Sequence, residues 1–215
     1  MSKGKFIVIE GCDGCGKSYL IKKLKEEYKD NKNIIFIKEP GSTTFSKNVA
    51  KLIKDNPELD EEIKMHLFSA ERLDLLQKVI LPALEEGKTV ISERFALSMW
   101  AYQCSKNNSL ITMMKLILRN LSERVKVDNT IYFRATAEDI LPNDAAINEK
   151  TELGHLLLWY SVALQGQEYP KELIGDILNI ESNSIRQKDY IQTIKTKIDE
   201  IISSNSGLAS GNQTI

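Results

Sequence analysis

The sequence predicts an α/β fold, a parallel five-stranded sheet with helices on both faces. Two observations lead there. Five short apolar runs (Lys5–Glu10, Asn33–Lys38, Thr89–Ser92, Thr130–Phe133 and Ile177–Ile180) are divided by longer stretches of helical periodicity. Strands that alternate with helices are joined by crossovers, and crossovers make neighbouring strands parallel.

The first strand, KFIVIE, stops at Gly11, and Leu20, Ile21, Leu24 and Tyr28 then mark one face of a helix from Lys17 to Lys29. The second, NIIFIK, ends at Glu39-Pro40-Gly41, where proline and glycine force a turn. Helical periodicity runs from Phe45 to Lys54 and from Asp60 to Glu86, with Pro82 expected to kink or divide the second stretch. Gly87 closes it, and the third strand leads into Glu93-Arg94. One long helix is expected from Ser98 to about Arg124, another from Thr151 to Gln165, and a last one from Asp189 to Ile202. The polar, acidic segment 135–153 reads as a lid over the sheet edge, and 204–215 as a frayed polar tail beyond a single domain spanning 1–203.

Composition narrows the class. The chain has 215 residues, 42% of them hydrophobic, and a formal net charge of -1, which suits a soluble globular protein and gives no global surface for a nucleic acid polymer. No stretch is long and apolar enough to span a bilayer, and the N-terminus does not read as a secretory signal. Three cysteines are too few for a disulfide framework, so the cytoplasm is the expected compartment.

The chemistry is carried by Gly11-Cys12-Asp13-Gly14-Cys15-Gly16-Lys17-Ser18, which fits G-x-x-x-x-G-K-[ST] directly after a strand and before a helix. Glycines let successive backbone N–H groups converge on phosphate oxygens, and the helix N-terminus adds positive dipole character. Lys17 neutralises the β- and γ-phosphates, while Ser18 offers a hydroxyl to Mg²⁺. The fold class is therefore of the P-loop NTPase type, and Gly11, Asp13, Gly14, Cys15, Gly16, Lys17, Ser18 and Tyr19 form the expected ATP site. Cys12 and Cys15 read as small loop fillers rather than half a zinc site, because no second cysteine pair exists. A thiolate at Cys15 would be favoured by the helix N-terminus, and a Cys12–Cys15 disulfide would distort the loop.

Glu39 and Glu93, each at the carboxyl end of a strand, should face the same crevice as Lys17, one of them to hold Mg²⁺ or to orient Arg94. Arg72 could equally belong to a solvated charged face, and Phe68 to plain core.

Four segments, FIVIEGCDGCGKS, EPGST, LFSAER and LPALEEGKTVISERFALSMWAYQ, resemble the thymidylate kinase family from Lys5 to about Gln103. The resemblance implies transfer of the γ-phosphate of ATP to a deoxypyrimidine nucleoside monophosphate. It also implies a homodimer, with spare apolar residues in Thr112–Leu118, and an acceptor site of Glu39, Pro40, Phe68, Arg72, Arg94, Ser98, Tyr102 and Gln103. Phe68 would stack on the base, Arg72 would bond a base carbonyl, and Arg94 would contact phosphate.

The sequence departs from the family in three places. Glu93 stands where aspartate is usual; neither the Gly14 position nor the lid holds an arginine; and Trp100 and Cys104 flank the Ala-Tyr-Gln segment. These departures suggest a divergent relative, such as a virus would carry, with altered specificity. Arg134, after the fourth strand, and Lys150, in the lid, are the candidates for the missing catalytic cation, beside Lys17, Glu93 and Arg94; Arg134 could instead pair with Glu138 or Asp139. Two alternatives stay open: a deoxynucleoside kinase with Glu39 as general base, and a weakly catalytic nucleotide-binding regulator.

Overall fold

A computed structural model of the chain describes residues 4–136, 150–165, 168–185, 187–204 and 213–214. β1 (Phe6–Glu10) is buried at every position, as a strand covered on both faces by helices must be. It lies between β3 (Thr89–Glu93) and β4 (Asn129–Arg134), with β2 (Ile34–Lys38) beyond β3 and β5 (Asp176–Glu181) beyond β4. All these pairs are parallel, so the five expected strands form one sheet in the order β2-β3-β1-β4-β5. A sixth strand, β6 (Gln213–Thr214), pairs with Leu178 and Asn179, which corrects the expectation of a frayed tail. The remaining residues of the tail and residues 137–149 of the expected lid lie outside the described residues.

Between the strands run α1 (Lys17–Glu27), α2 (Thr44–Asp55) and α3 (Glu61–Leu75). α3 opens on Asp60, whose carboxylate caps the Glu62 N–H. It then widens through a π-type turn at Leu76–Ile80 into α4 (Leu81–Glu85). Pro82 has no N–H to donate to the preceding turn, so the helix is widened there rather than broken.

The long helix expected after β3 is two helices, α5 (Ala96–Lys106) and α6 (Ile111–Ser122). Asn107 divides them by accepting the Ser109 N–H, a cap that competes with helix continuation. α7 (Lys150–Leu164) begins inside the segment assigned to the lid, so 150–153 are helical rather than irregular, and α8 (Lys188–Ser203) closes the order. Thr196-Lys197-Ile198-Asp199 matches a guanine-reading pattern by letter but lies within α8. There Thr196 bonds the Gln192 carbonyl, and Asp199 takes Lys195 and the Tyr28 hydroxyl.

α5 is buried along most of its length and packs against α7. Trp100, fully buried, meets Trp159 and Tyr169 edge-on at centroid distances of 5.6 and 5.9 Å. Trp100→Ala should therefore cost about 3–5 kcal/mol of stability, read from the urea unfolding midpoint. A loss under about 1 kcal/mol would show that α5 is held by other contacts.

Candidate active site

The loop from Gly11 to Gly16 leaves β1 and enters α1 at the carboxyl edge of the sheet. Gly11 has φ 143°, and a Cβ there would stand 2.9 Å from Phe133 Cβ, so no side chain fits. Gly14 has φ 77°, a conformation that an arginine at this place would adopt only under strain. Lys17 is buried, and its ammonium donates to the Cys12 carbonyl and, at 3.5 Å, to Cys15 Sγ. Burial, then the nearby Arg94 guanidinium, lowers its pKa. Ser18 Oγ donates to Glu93 Oε1 at 2.7 Å, and Lys38 Nζ donates to the same oxygen at 3.2 Å. The Arg94 guanidinium is held by Gly11, Ser98 and Asp13. Tyr19, in the first turn of α1, is 40% exposed.

Cys12 and Cys15 are both buried and free. Their thiols interact closely, so the Cys15 thiol is lowered to about 6, first by its contact with Cys12 and then by Lys17, while Cys12 is raised.

Arg94, directly after β3, has φ 70°, the only positive φ outside glycine among the described residues. That backbone turns its guanidinium back over the phosphate loop. It donates to Ser98 Oγ at 2.9 Å and to the Gly11 carbonyl at 3.3 Å, forms an ion pair with Asp13, and lies 5.2 Å over the Tyr102 ring. Tyr102 donates its hydroxyl to Asp13 at 2.8 Å and accepts the Asp13 N–H at 3.0 Å. Burial alone would raise the Asp13 carboxyl, but Arg94, Tyr102 and Lys17 together hold it below its ordinary value.

Beneath this layer Glu10, at the end of β1, accepts from Ser98 Oγ and from the Phe95 N–H. Tyr160 of α7 donates to the Gly11 carbonyl at 3.1 Å. Glu10 and Tyr160 were not anticipated. Glu10 had a local signal, an acid closing an apolar strand at the loop, whereas nothing near Tyr160 in sequence marks its distant contact.

The other expected acceptor residues meet in a cleft of about 190 Å³ beside the loop, lined by Asp13, Glu39, Pro40, Phe68, Arg72, Arg94, Ser98, Tyr102 and Gln103. Glu71, Phe95 and Met99 complete the lining. Phe68 and Arg72, one turn apart on α3, present an aromatic face and a guanidinium to the same space. Arg72 is no solvated surface residue, for it is buried with Nε 2.7 Å from Glu39 Oε2. Among the described residues Glu39 Oε1 and Gln103 Oε1 have no hydrogen-bond partner. Trp100 and Cys104 are buried in the core and do not line the cleft.

Arg134 is 57% exposed and pairs with Glu181 at 3.5 Å; Glu138 and Asp139, its other expected partners, lie outside the described residues. Lys150 opens α7, and its side chain lies outside what is described.

Among the described residues no three His, Cys, Asp or Glu side chains converge as a ready-made metal cage. The Ser18 hydroxyl and Glu93 carboxylate nevertheless form the sparse oxygen donor set that suits Mg²⁺ when nucleotide phosphates complete the coordination.

Burial pushes the Glu39 carboxyl up to about 8 from its ordinary 4.5, against the opposing pull of Arg72. Between those values the folded chain keeps a proton that the unfolded chain has released. The resulting stabilisation is complete below about 4.5 and is lost as pH rises through about 8. Glu39→Gln is neutral throughout and retains an acceptor for Arg72. Its stability relative to wild type should therefore rise across this window and level off above it, as denaturant midpoints at stepped pH would record. A difference independent of pH would contradict the burial of this carboxyl.

Comparison with known proteins follows the same lines. A family profile described as thymidylate kinase matches residues 9–151. The chain is 34% identical over 203 residues to thymidylate kinase of Mycoplasmoides gallisepticum, covering 93% of this chain and 90% of that one. It is 34% identical over 208 residues to thymidylate kinase of Buchnera aphidicola subsp. Schizaphis graminum, covering 92% and 96%. The crystal structure of thymidylate kinase from Ehrlichia chaffeensis shares the fold with a TM-score of 0.69 at 21% identity, over 94% of this chain and 100% of that one. Family profile and relatives agree with the phosphate loop: the chain belongs to the thymidylate kinase family.

Proposed function

We propose that this protein transfers the γ-phosphate of ATP to dTMP, giving ADP and dTDP. The observation that carries the reading is Arg94, which touches the phosphate loop through Gly11 and Asp13 and also lines the acceptor cleft. A donor held by the loop and an acceptor phosphate held in the cleft would meet at this side chain.

The two substrates are anions, so transfer needs positioned cations around the migrating group. Lys17 serves the β- and γ-phosphates, and Arg94 the acceptor phosphate. Ser18 and Glu93 would hold Mg²⁺, which when bound neutralises charge on the phosphoryl oxygens. Phe68 stacks on the pyrimidine, and Arg72, fixed by Glu39, supplies the directional contact that selects the base. Tyr102 and Gln103 close the nucleoside side of the cleft, with the Tyr102 hydroxyl committed to Asp13. Glu39 is poorly suited to be a general base for a 5'-hydroxyl, because one oxygen is engaged by Arg72 and burial favours its protonated form. Arg134 and Lys150 remain candidates for a further cation, Arg134 if it leaves Glu181 on nucleotide binding.

The protein works as a cytoplasmic homodimer in this reading. No helix among the described residues is long and apolar enough to cross a membrane. α6 exposes Met113 and Leu116, the latter 59% exposed, beside a groove of about 290 Å³ shared with α3. Apolar exposure of this kind suits a self-association face.

The test is a coupled assay with ATP and Mg²⁺ offering dTMP, dUMP and deoxythymidine in parallel, in wild type and Arg72→Ala. dTMP should be the preferred acceptor. Losing a charge-assisted hydrogen bond worth about 1.5–3 kcal/mol should weaken dTMP about 10- to 150-fold in Arg72→Ala, with ATP nearly unchanged. Transfer to deoxythymidine in place of dTMP would overturn the reading, and equal losses for ATP and dTMP would make Arg72 a structural residue.

A further inference from the structure

Lys38 is the last residue of β2. Its Cα is the register partner of Glu93 on β3, and its ammonium reaches the Glu93 oxygen that also takes the Ser18 hydroxyl. The side chain is 55% exposed, and Glu93 is its one ion-pair partner among the described residues. The other two cations at the loop are more firmly committed. Lys17 is buried on the Cys12 carbonyl, and Arg94 is tied to Asp13, Ser98 and Gly11.

We propose that Lys38 is a further catalytic residue of the transfer: its ammonium, paired with Glu93 in this structure, passes to the phosphoryl oxygens when a divalent cation takes that carboxylate. The inference rests on the ATP-dependent transfer proposed above. Ser18 and Lys38 reach the same Glu93 oxygen, so a divalent cation held by Ser18 and Glu93 would lie beside the ammonium, and like charges that close repel strongly. The four-carbon stem lets Lys38 yield without moving the backbone, and the triphosphate bound at the loop offers the nearest new anion. The Glu93 carboxylate thus holds a cation whose displacement would deliver it to the reacting groups. That would supply the positive charge for which the chain has no arginine at Gly14.

The test compares wild type, Lys38→Met and Lys38→Arg by two readouts. One is the Mg²⁺ concentration that half-saturates binding of a fluorescent ATP analogue without acceptor; the other is kcat at saturating ATP, Mg²⁺ and dTMP. Lys38→Met removes the competitor for Glu93, so half-saturating Mg²⁺ should fall at least threefold while kcat falls about 100-fold. Melting temperature should stay at the wild-type value, and Lys38→Arg should recover at least tenfold in kcat over Lys38→Met. The proposal is overturned if Lys38→Met keeps kcat within twofold of wild type, or if its Mg²⁺ requirement is unchanged. It is also overturned if Lys38→Arg is no better than Lys38→Met. A wild-type protein that binds the analogue with Mg²⁺ but phosphorylates no monophosphate would overturn the assigned acceptor instead, and the Mg²⁺ readout would still judge Lys38.

Discussion

Arg94 is held with a left-handed backbone at the point where β3 meets the site, and its guanidinium joins the phosphate loop to the neighbouring cleft. A non-glycine residue at φ 70° costs on the order of 1–3 kcal/mol, which must be offset by contacts made only in that conformation. Those contacts are the Gly11 carbonyl, Ser98, the Asp13 carboxylate and the face of Tyr102. An extended continuation of β3 would carry the guanidinium away from the loop.

A layer of buried hydrogen bonds keeps this arrangement rigid. Glu10 fixes the start of α5 through the Phe95 N–H and the Ser98 hydroxyl, and Tyr160 ties the Gly11 carbonyl to α7. Ser98 and Tyr160 lie 3.0 Å apart, so β1, α5 and α7 meet under Arg94. Burial raises the Glu10 carboxyl, with Ser98, Arg94 and the Phe95 N–H pulling the other way. A buried polar network of this kind is costly unless satisfied, and here its members are largely paired with one another. The oxygens of Glu39 and Gln103 that lack a partner among the described residues lie instead in residues that line the cleft.

Local chemistry made much of this legible. The phosphate loop is contiguous, its spacing is dictated by phosphate geometry, and strand and helix flank it as the pattern requires. Phe68 and Arg72, or Ser98 and Tyr102, recur at one helical turn, so their shared faces follow from periodicity. What escaped was non-local or hidden by average behaviour. Tyr160 reaches Gly11 across 149 positions, and β6 forms through pairing with β5 rather than through a propensity of its own. Asn107 interrupts a continuous apolar pattern by a side-chain cap, and Trp100 looked like part of a binding segment because it precedes Tyr102. Lys38 was overlooked because a lysine before a turn is ordinarily a solvated end; its significance comes from the strand register that sets it against Glu93.

In the proposed transfer Arg94 joins the phosphate loop and the cleft through a planar, multiply bonded guanidinium and not through charge alone. Steady-state kinetics of Arg94→Lys, varying ATP and dTMP separately, tests it. A loss of about 100-fold in kcat with ATP affinity within about threefold of wild type is the predicted result, because lysine keeps the charge but lacks the fork. Turnover at the wild-type rate would contradict the central role of Arg94.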